Sequence, residues 1–406
     1  MHLRVTVHGV SACQSIVSVM CLLIACGQIA WPGLAIGATP PSAQTNVLQP
    51  ETLAVEPTLK WSLSIGGDDD PDLPPFGHFT RCKSRTGGGF LLLDWQLKQA
   101  FTVSDDGSDI QPLGREGEGP GEYGMPADVL TDTEDRPCIL HAFPPKLIRF
   151  DNAGDPLPNL ELCADRYAAA TDVRSCNEHY IAACSHYVSD HDGGYDLAYL
   201  GVFSGIGQLL DRVGEFRVAD DEVAEAAQLG FEGTWCATES GRIVLAADFD
   251  RYLLTMHGLD GSQLAEIERE SIPILRTEGE LSYLLESRFG PDNSRFKLCE
   301  HHRAIHSVFS VGQGFAVVPA PGIWRPRPGA IIEFDLFDDR GAFCRRIVVK
   351  GDDQRIPITV EIDSEHLILV YLDDPRLVRS GVQADASEMK LCVYRMPEIV
   401  STLVSQ

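Results

Sequence analysis

Residues 114–126 read GREGEGPGEYGMP, five glycines and two prolines interleaved with Arg115, Glu116, Glu118 and Glu122. Glycine at this density serves either a phosphate-cradling loop or a structural passage between strands. A dinucleotide-binding loop must run straight into a helix whose first amides hold the pyrophosphate. Here Pro120 removes one amide, the glutamates repel phosphate, and Pro126 opens PADVLT, a strand-like run. The stretch therefore reads as the entry into a β-strand, and the sequence around it indicates the kind of sheet.

A two-part unit recurs along the chain. Its first half, a short apolar run, appears as GGFLLLD (88–94), RPCILHAF (136–143), HYIAACSHY (179–187), GRIVLAADFD (241–250), QGFAVVPA (313–320) and EHLILVYLDD (365–374). Its second half appears as QAFTVSDDG (99–107), KLIRFDNAG (146–154), DLAYLGVFSGIG (196–207), YLLTMHGLDG (252–261), IIEFDLFDDRG (331–341) and MKLCVYRM (389–396). Five of these second halves end in a glycine turn, at Gly107, Gly154, Gly207, Gly261 and Gly341, which is hairpin chemistry. A repeat of roughly 50 residues with four short strands is the signature of a propeller blade.

The expected fold is all-β: a six-bladed β-propeller over residues 58–400, with four-stranded antiparallel blades. LKWSLSIG (59–66) is placed to complete the last blade and so remove two open edges. Two short helical inserts are expected. TEGELSYLLESRF (277–289) pairs Thr277 with Glu280 at capping-box spacing, and DDEVAEAAQLG (220–230) starts on Asp and stops at Gly230. Residues 39–57 read as a Pro-rich linker and 401–406 as a tail.

The first 43 residues carry Arg4 as their sole formal charge, around the apolar run SIVSVMCLLIA (15–25). That is a secretory signal pattern over residues 1–38. LIAC (23–26) resembles a lipobox that would acylate Cys26, AIGATPPSA (35–43) suits an ordinary signal peptidase, and residues 15–38 are long enough for a retained anchor. Each reading puts the remainder outside the cytoplasm, in the periplasm or outer envelope, with membrane contact only through that N-terminus. A formal charge of −26 makes nucleic acid and anionic lipid poor partners. The nine cysteines beyond Cys26 form no CxxC, and runs such as RPCILH and KLCVYR use them as small apolar side chains.

GEGPGEYGMPADVLTD (117–132), followed by RPCILHAFPPKLIRFDNAGDPL (136–157), resembles one complete unit of the NHL-type six-bladed β-propellers. Gly119, Pro120, Gly121, Glu122, Tyr123 and Pro126 match the family's entry; Arg149, Phe150, Asp151 and Gly154 match its exit. Elsewhere the aspartates ending the first half (Asp94, Asp248, Asp373) and the turn glycines persist. The resemblance implies an exported bacterial propeller whose loops between second and third strands share one face with the blade-to-blade connections.

On that face the implied loops bring Trp95, His141, Phe143, His186, Asp248 and Asp250 from the first four blades. Arg251, Trp324, Arg325, Arg327, Asp373, Asp374 and Arg376 follow them. Trp95, His186, Arg251, Trp324, Arg325 and Arg327 are the candidate ligand-binding residues, joined by Arg115, Glu122 and Tyr123 from the opening stretch. GIWRPRPG (322–329) stands out, because a tryptophan between arginines and prolines has no evident packing purpose in a loop.

CEHHRAIH (299–306) offers His302 and His306 as metal ligands if helical. In a strand, i and i+4 lie about 13 Å apart, which favours ordinary strand histidines. GGDDDPDLP (66–74) alternates aspartates but lacks the glycine and distal glutamate of a calcium loop, and DHDGGYD (190–196) reads as a turn. No GxSxG, HExxH or P-loop is present. The leading expectation is a cofactor-free module binding a small molecule or protein. The alternative is a lyase or hydrolase assisted by a channel divalent cation such as calcium.

Overall fold

In a computed structural model, the chain forms six four-stranded antiparallel sheets in a closed ring. The structure describes residues 44–45, 51–65, 76–165, 167–190, 193–219, 231, 233–246, 248–289, 299–351, 353, 355–372, 374, 376, 389–398, 400 and 402. Blades one to six start with inner strands Phe79–Ser84, Pro126–Thr131, Ala169–Cys176, Trp235–Ala237, Ile305–Val311 and Pro357–Ile362. Each half-unit read from the sequence is the second or third strand of its blade, from Phe90–Asp94 and Gln99–Val103 to His366–Leu372 and Met389–Arg395. The five turn glycines all adopt φ between 74° and 87°, a region that side chains with a Cβ rarely enter.

The second strands of blades one, two and five are buried along their whole length, as in Phe90–Asp94, Pro137–His141 and Gly314–Pro319. Both faces of a blade pack against neighbouring blades, so these strands carry unbroken apolar runs where a one-sided sheet would alternate. The core is accordingly divided into clusters lying between adjacent blades, such as Leu91, Tyr123, Ile139 and Phe150 between blades one and two. Leu63, Phe79, Phe90, Ile368 and Leu391 form the cluster that joins the last blade to the first.

Ring closure comes from the N-terminal side. Thr58–Ile65 is the outermost strand of blade six and pairs antiparallel with Met389–Arg395. Upstream, Thr52–Val55 lies parallel on the outer strand of blade five, Phe343–Lys350, and Gln44–Thr45 parallel on that of blade four, Gln263–Arg269. Two blades thus carry a fifth strand, and the segment read as a linker covers sheet edges. Leu53 and Val55 also join the apolar cluster beneath.

Helix α1 (Glu278–Phe289) forms where expected. Its capping box is complete: the Glu280 amide donates to Thr277 Oγ1 at 3.1 Å and the Thr277 amide to Glu280 Oε2 at 2.7 Å. A second short helix, α2 (Ala320–Trp324), occupies the connection expected to be a loop around Trp324. The expected helix at 220–230, the acidic run at 66–74, Cys26 and Asp373 lie outside the described residues.

Candidate functional site

Five inner strands share one irregularity. In blades one, two, three, five and six, an unpaired residue follows the first paired position, or the second in blade three: Thr80, Ala127, Thr171, His306 and Ile358. Such bulges re-aim the next side chain. Here that position holds Arg81, Asp128, Asp172, Ser307 and Thr359. The strands bordering the channel thereby carry charge at positions that a regular strand would turn elsewhere.

These charges form a network across three blades. Asp128 accepts from Lys83 Nζ of blade one at 2.7 Å and from the Val173 amide of blade three at 3.0 Å. Arg174 reaches Asp128 at 3.3 Å and also bonds Asp172, and Arg81 lies 3.6 Å from Asp128. Burial opposes the Asp128 charge, but Lys83 and Arg174 together outweigh it and hold the carboxyl well below the usual range. Burial pushes Asp172 up to about 7; Arg174 opposes that shift and the Asp128 charge adds to it. Lys83 is lowered by burial and by Arg174.

Above the network, on the face where inner strands begin, lies a cavity of about 350 Å³. Phe249, Tyr283, Leu284, Trp324 and Ile358 give it an apolar lining, to which Arg81, Arg174, Arg276 and Arg303 add cations. The Trp324 indole stacks on His302 with ring centroids 3.9 Å apart, and His306 meets it edge-on at 6.3 Å. Trp324 therefore has a packing partner, which the sequence did not reveal. His302 precedes the inner strand of blade five, so the two histidines are not a strand pair; both rings flank one indole.

Glu280 ties this lining to α1. Its carboxylate accepts from Arg325 at 2.9 Å and lies 3.3 Å from His302 Nε2. Arg276 Nε sits 3.5 Å from His302 Nδ1, so Nδ1 accepts and Nε2 carries the proton that faces Glu280. Burial works against the Glu280 charge, but the bonds from His302, Arg325 and the Thr277 amide prevail and hold the carboxyl down at about 2. His302 is lowered chiefly by burial. The His306 ring borders the cavity yet is enclosed by protein. That burial, with the Arg303 charge, pushes it down to about 3 and leaves it neutral. At the far end of the helix, Arg376 bonds Glu286 at 2.6 Å and lies over the Tyr283 ring.

The other candidates lie apart from this cavity. Tyr123 is fully buried; its hydroxyl donates to Leu113 O at 2.7 Å and accepts from the Ala100 amide at 3.0 Å. Arg115 pairs with Glu122, whose carboxylate also accepts from the Gly119 amide at 2.8 Å. The loop's own side chain thus takes up an amide that an anion would need, and Gly114 is required because a Cβ there would meet Gly121 O at 2.5 Å. Trp95 is an exposed turn residue. His186 lies 3.4 Å from Asp165, and Arg251 bonds Asp248 at 2.7 Å. Arg327 pairs with Glu333 at 3.2 Å and also reaches Thr52 Oγ1 at 3.3 Å on the added outer strand.

Among the described residues no group of three or more His, Cys, Asp or Glu is arranged to hold a metal. The channel carboxylates Asp128 and Asp172 are instead engaged by Lys83 and Arg174. Below the network a second cavity of about 430 Å³ is lined by Ser84, Thr131, Ser175, Thr238 and Ser310, one from each of five successive blades. Ser175 Oγ donates to Thr131 O at 2.7 Å and Ser84 Oγ to Asp363 at 2.5 Å, so these hydroxyls tie blade to blade.

The channel charges went unrecognised in the sequence. Their trace was there: aligned on the paired residue before the bulge, the inner-strand runs FTRCKS, PADVLT and ATDVRSC carry charge where strand-like runs are otherwise apolar.

No protein-family model matches the chain, and no curated protein matches it. Among solved structures it is similar to an exported protein from Bacteroides fragilis, at 11% identity over 84% of this chain and 98% of that one, with a TM-score of 0.43. A member of the DUF4221 family from Bacteroides vulgatus shows 10% identity over 84% and 98%, TM-score 0.47. Regucalcin from Agrobacterium tumefaciens, described as calcium-binding, shows 11% over 85% and 96%, TM-score 0.39. These likenesses concern the fold alone.

Proposed function

We propose that the protein is an exported ligand-binding propeller whose site is the cavity at the mouth of its channel. One observation carries the reading: Trp324, His302 and α1 are held together by Glu280 around a cavity of about 350 Å³, beneath a helix that the other described blade connections lack. A concave site with an apolar wall and a few converging polar groups is what recognition of a small molecule requires. Kinship with the NHL-type propellers rests on the blade-two match, and export on the N-terminal signal pattern. The acidic surface argues against nucleic acid as partner.

Fragment screening by ligand-observed NMR tests the assignment. Hits should compete for one site and lose binding in the Trp324→Leu variant. Hits that bind independently of Trp324 would sink it. Mass spectrometry of the mature N-terminus separates acylation at Cys26 from cleavage after residue 38 or a retained anchor.

One observation favours a second reading, a propeller enzyme. Asp172 lines the cavity beside the ionised Asp128, and burial raises its carboxyl above the usual range, which gives it the poise of a general base. Turnover of any bound ligand, abolished in Asp172→Asn while binding persists, would favour that reading; binding without turnover favours the module. Elemental analysis bears on the metal-assisted version, which a stoichiometric, tightly held metal would support.

A further inference from the structure

The chain carries far more acid than base, yet its channel mouth reverses that balance. Arg81, Arg174, Arg276 and Arg303 line the cavity, against Asp172 and Glu361. Lys83 lies just beneath them, bonded to Asp128. His302 and His306 add no charge, since burial keeps both rings neutral near pH 7. The positive character therefore comes from guanidinium groups, which do not deprotonate in this pH range.

Low-dielectric walls strengthen such a local excess. A cleft whose lining carries an excess of one sign focuses that field even when the net charge of the molecule is opposite. Guanidinium groups also have a geometry suited to oxyanions, offering forked N–H donors to carboxylate or phosphate. The rest of the lining is different in kind: Phe249, Tyr283, Leu284, Trp324 and Ile358 contribute aromatic and aliphatic side chains. A ligand complementary to both kinds of lining is amphiphilic, with a charged head and a flat apolar body.

We infer that the channel-mouth cavity binds an organic anion, its carboxylate or phosphate group held by the arginines and its aromatic body lodged against Trp324 and Tyr283. This rests on the cavity being the binding site, and it adds the sign of charge and the shape of the ligand.

Three near-isosteric probes test it by isothermal titration calorimetry on the mature chain: 2-naphthoate, 2-naphthamide and 2-naphthamidine. The naphthoate should bind at least about tenfold tighter than the amide, as a charge-assisted bond would give, and the amidine should bind weakest. Trp324→Leu should weaken naphthoate and naphthamide by a similar factor. Arg303→Gln should lower the ratio of their affinities by roughly tenfold, and Arg276→Gln should act in the same direction, so one poorly folded variant does not remove the test.

An amide that binds as tightly as the acid, with both sensitive to Trp324→Leu, overturns the anion and leaves the cavity as the binding site. A preference for the amidine does the same. No binding by any of the three, or binding indifferent to Trp324, counts against both. Inorganic phosphate and benzene phosphonate separate the sources: phosphonate competing with naphthoate while phosphate does not supports an organic anion, whereas phosphate competing alone overturns the need for an aromatic body.

Discussion

At the scale of single residues, Tyr123 and Asp172 illustrate how burial sets the role of a side chain. The Tyr123 hydroxyl serves the Ala100 amide and the Leu113 carbonyl inside the cluster between blades one and two. Tyr123→Phe leaves that buried amide without this acceptor and should cost about 1–3 kcal/mol in chemical denaturation. Arg115→Ala, at an exposed site, should stay within about 0.5 kcal/mol. Asp172 is faced by Asp128 from blade two, Lys83 from blade one and Arg174 on its own strand. Its carboxyl is raised above its unfolded value, so the folded state favours the protonated form. Its contribution is complete below about pH 4 and disappears as pH rises through about 7. Asp172→Asn should flatten that part of the stability profile, read as denaturation midpoint against pH; an unchanged slope refutes the assignment.

At the scale of elements, the first turn of α1 is tied to the cavity by one carboxylate. Glu280 closes the capping box and also bonds Arg325 and faces His302. Glu280→Ala removes all three contacts, and amide hydrogen exchange over 277–289 should accelerate far more than in the blades. Because the Glu280 carboxyl is depressed to about 2, the docking it provides is complete above about pH 4.3 and lost as pH falls through about 2. Exchange protection of α1 should fall over that acid range, and protection that persists there would show that Glu280 is not the tie. The capping-box spacing of Thr277 and Glu280 was visible in the sequence because it is a local, three-residue relation. The partners His302 and Arg325 were not, since they arrive from chain segments 22 and 45 residues away.

At the scale of the whole molecule, stability depends on closing the ring. Thr58–Ile65 supplies the last strand of blade six, and its Leu63 sits in the cluster joining blades six and one. A chain beginning at residue 58 should remain folded but melt lower, having lost only the parallel strands on blades four and five. A chain beginning at residue 67 should lose cooperative melting, because an open edge and an uncovered apolar cluster remain. Equal Tm values for the two would refute this account of closure.

The repeat itself was determined by the sequence alone. Each blade must bury its second strand on both faces and turn back at a glycine, so the unbroken apolar runs and Gly107, Gly154, Gly207, Gly261 and Gly341 recur at blade spacing. GREGEGPGEYGMP likewise carried its own meaning, since Pro120, Pro126 and the glutamates deny a phosphate the amides it needs. The site was decided only by the tertiary structure. Arg81, Asp128, Asp172 and Arg174 become one network because bulged inner strands from three blades meet at the channel axis. Trp324 gains its partner because α2 folds where a loop was expected and lays the indole on His302. Local periodicity encodes strands and turns; which charges and rings converge depends on the geometry of the closed ring, which no local stretch of the chain contains.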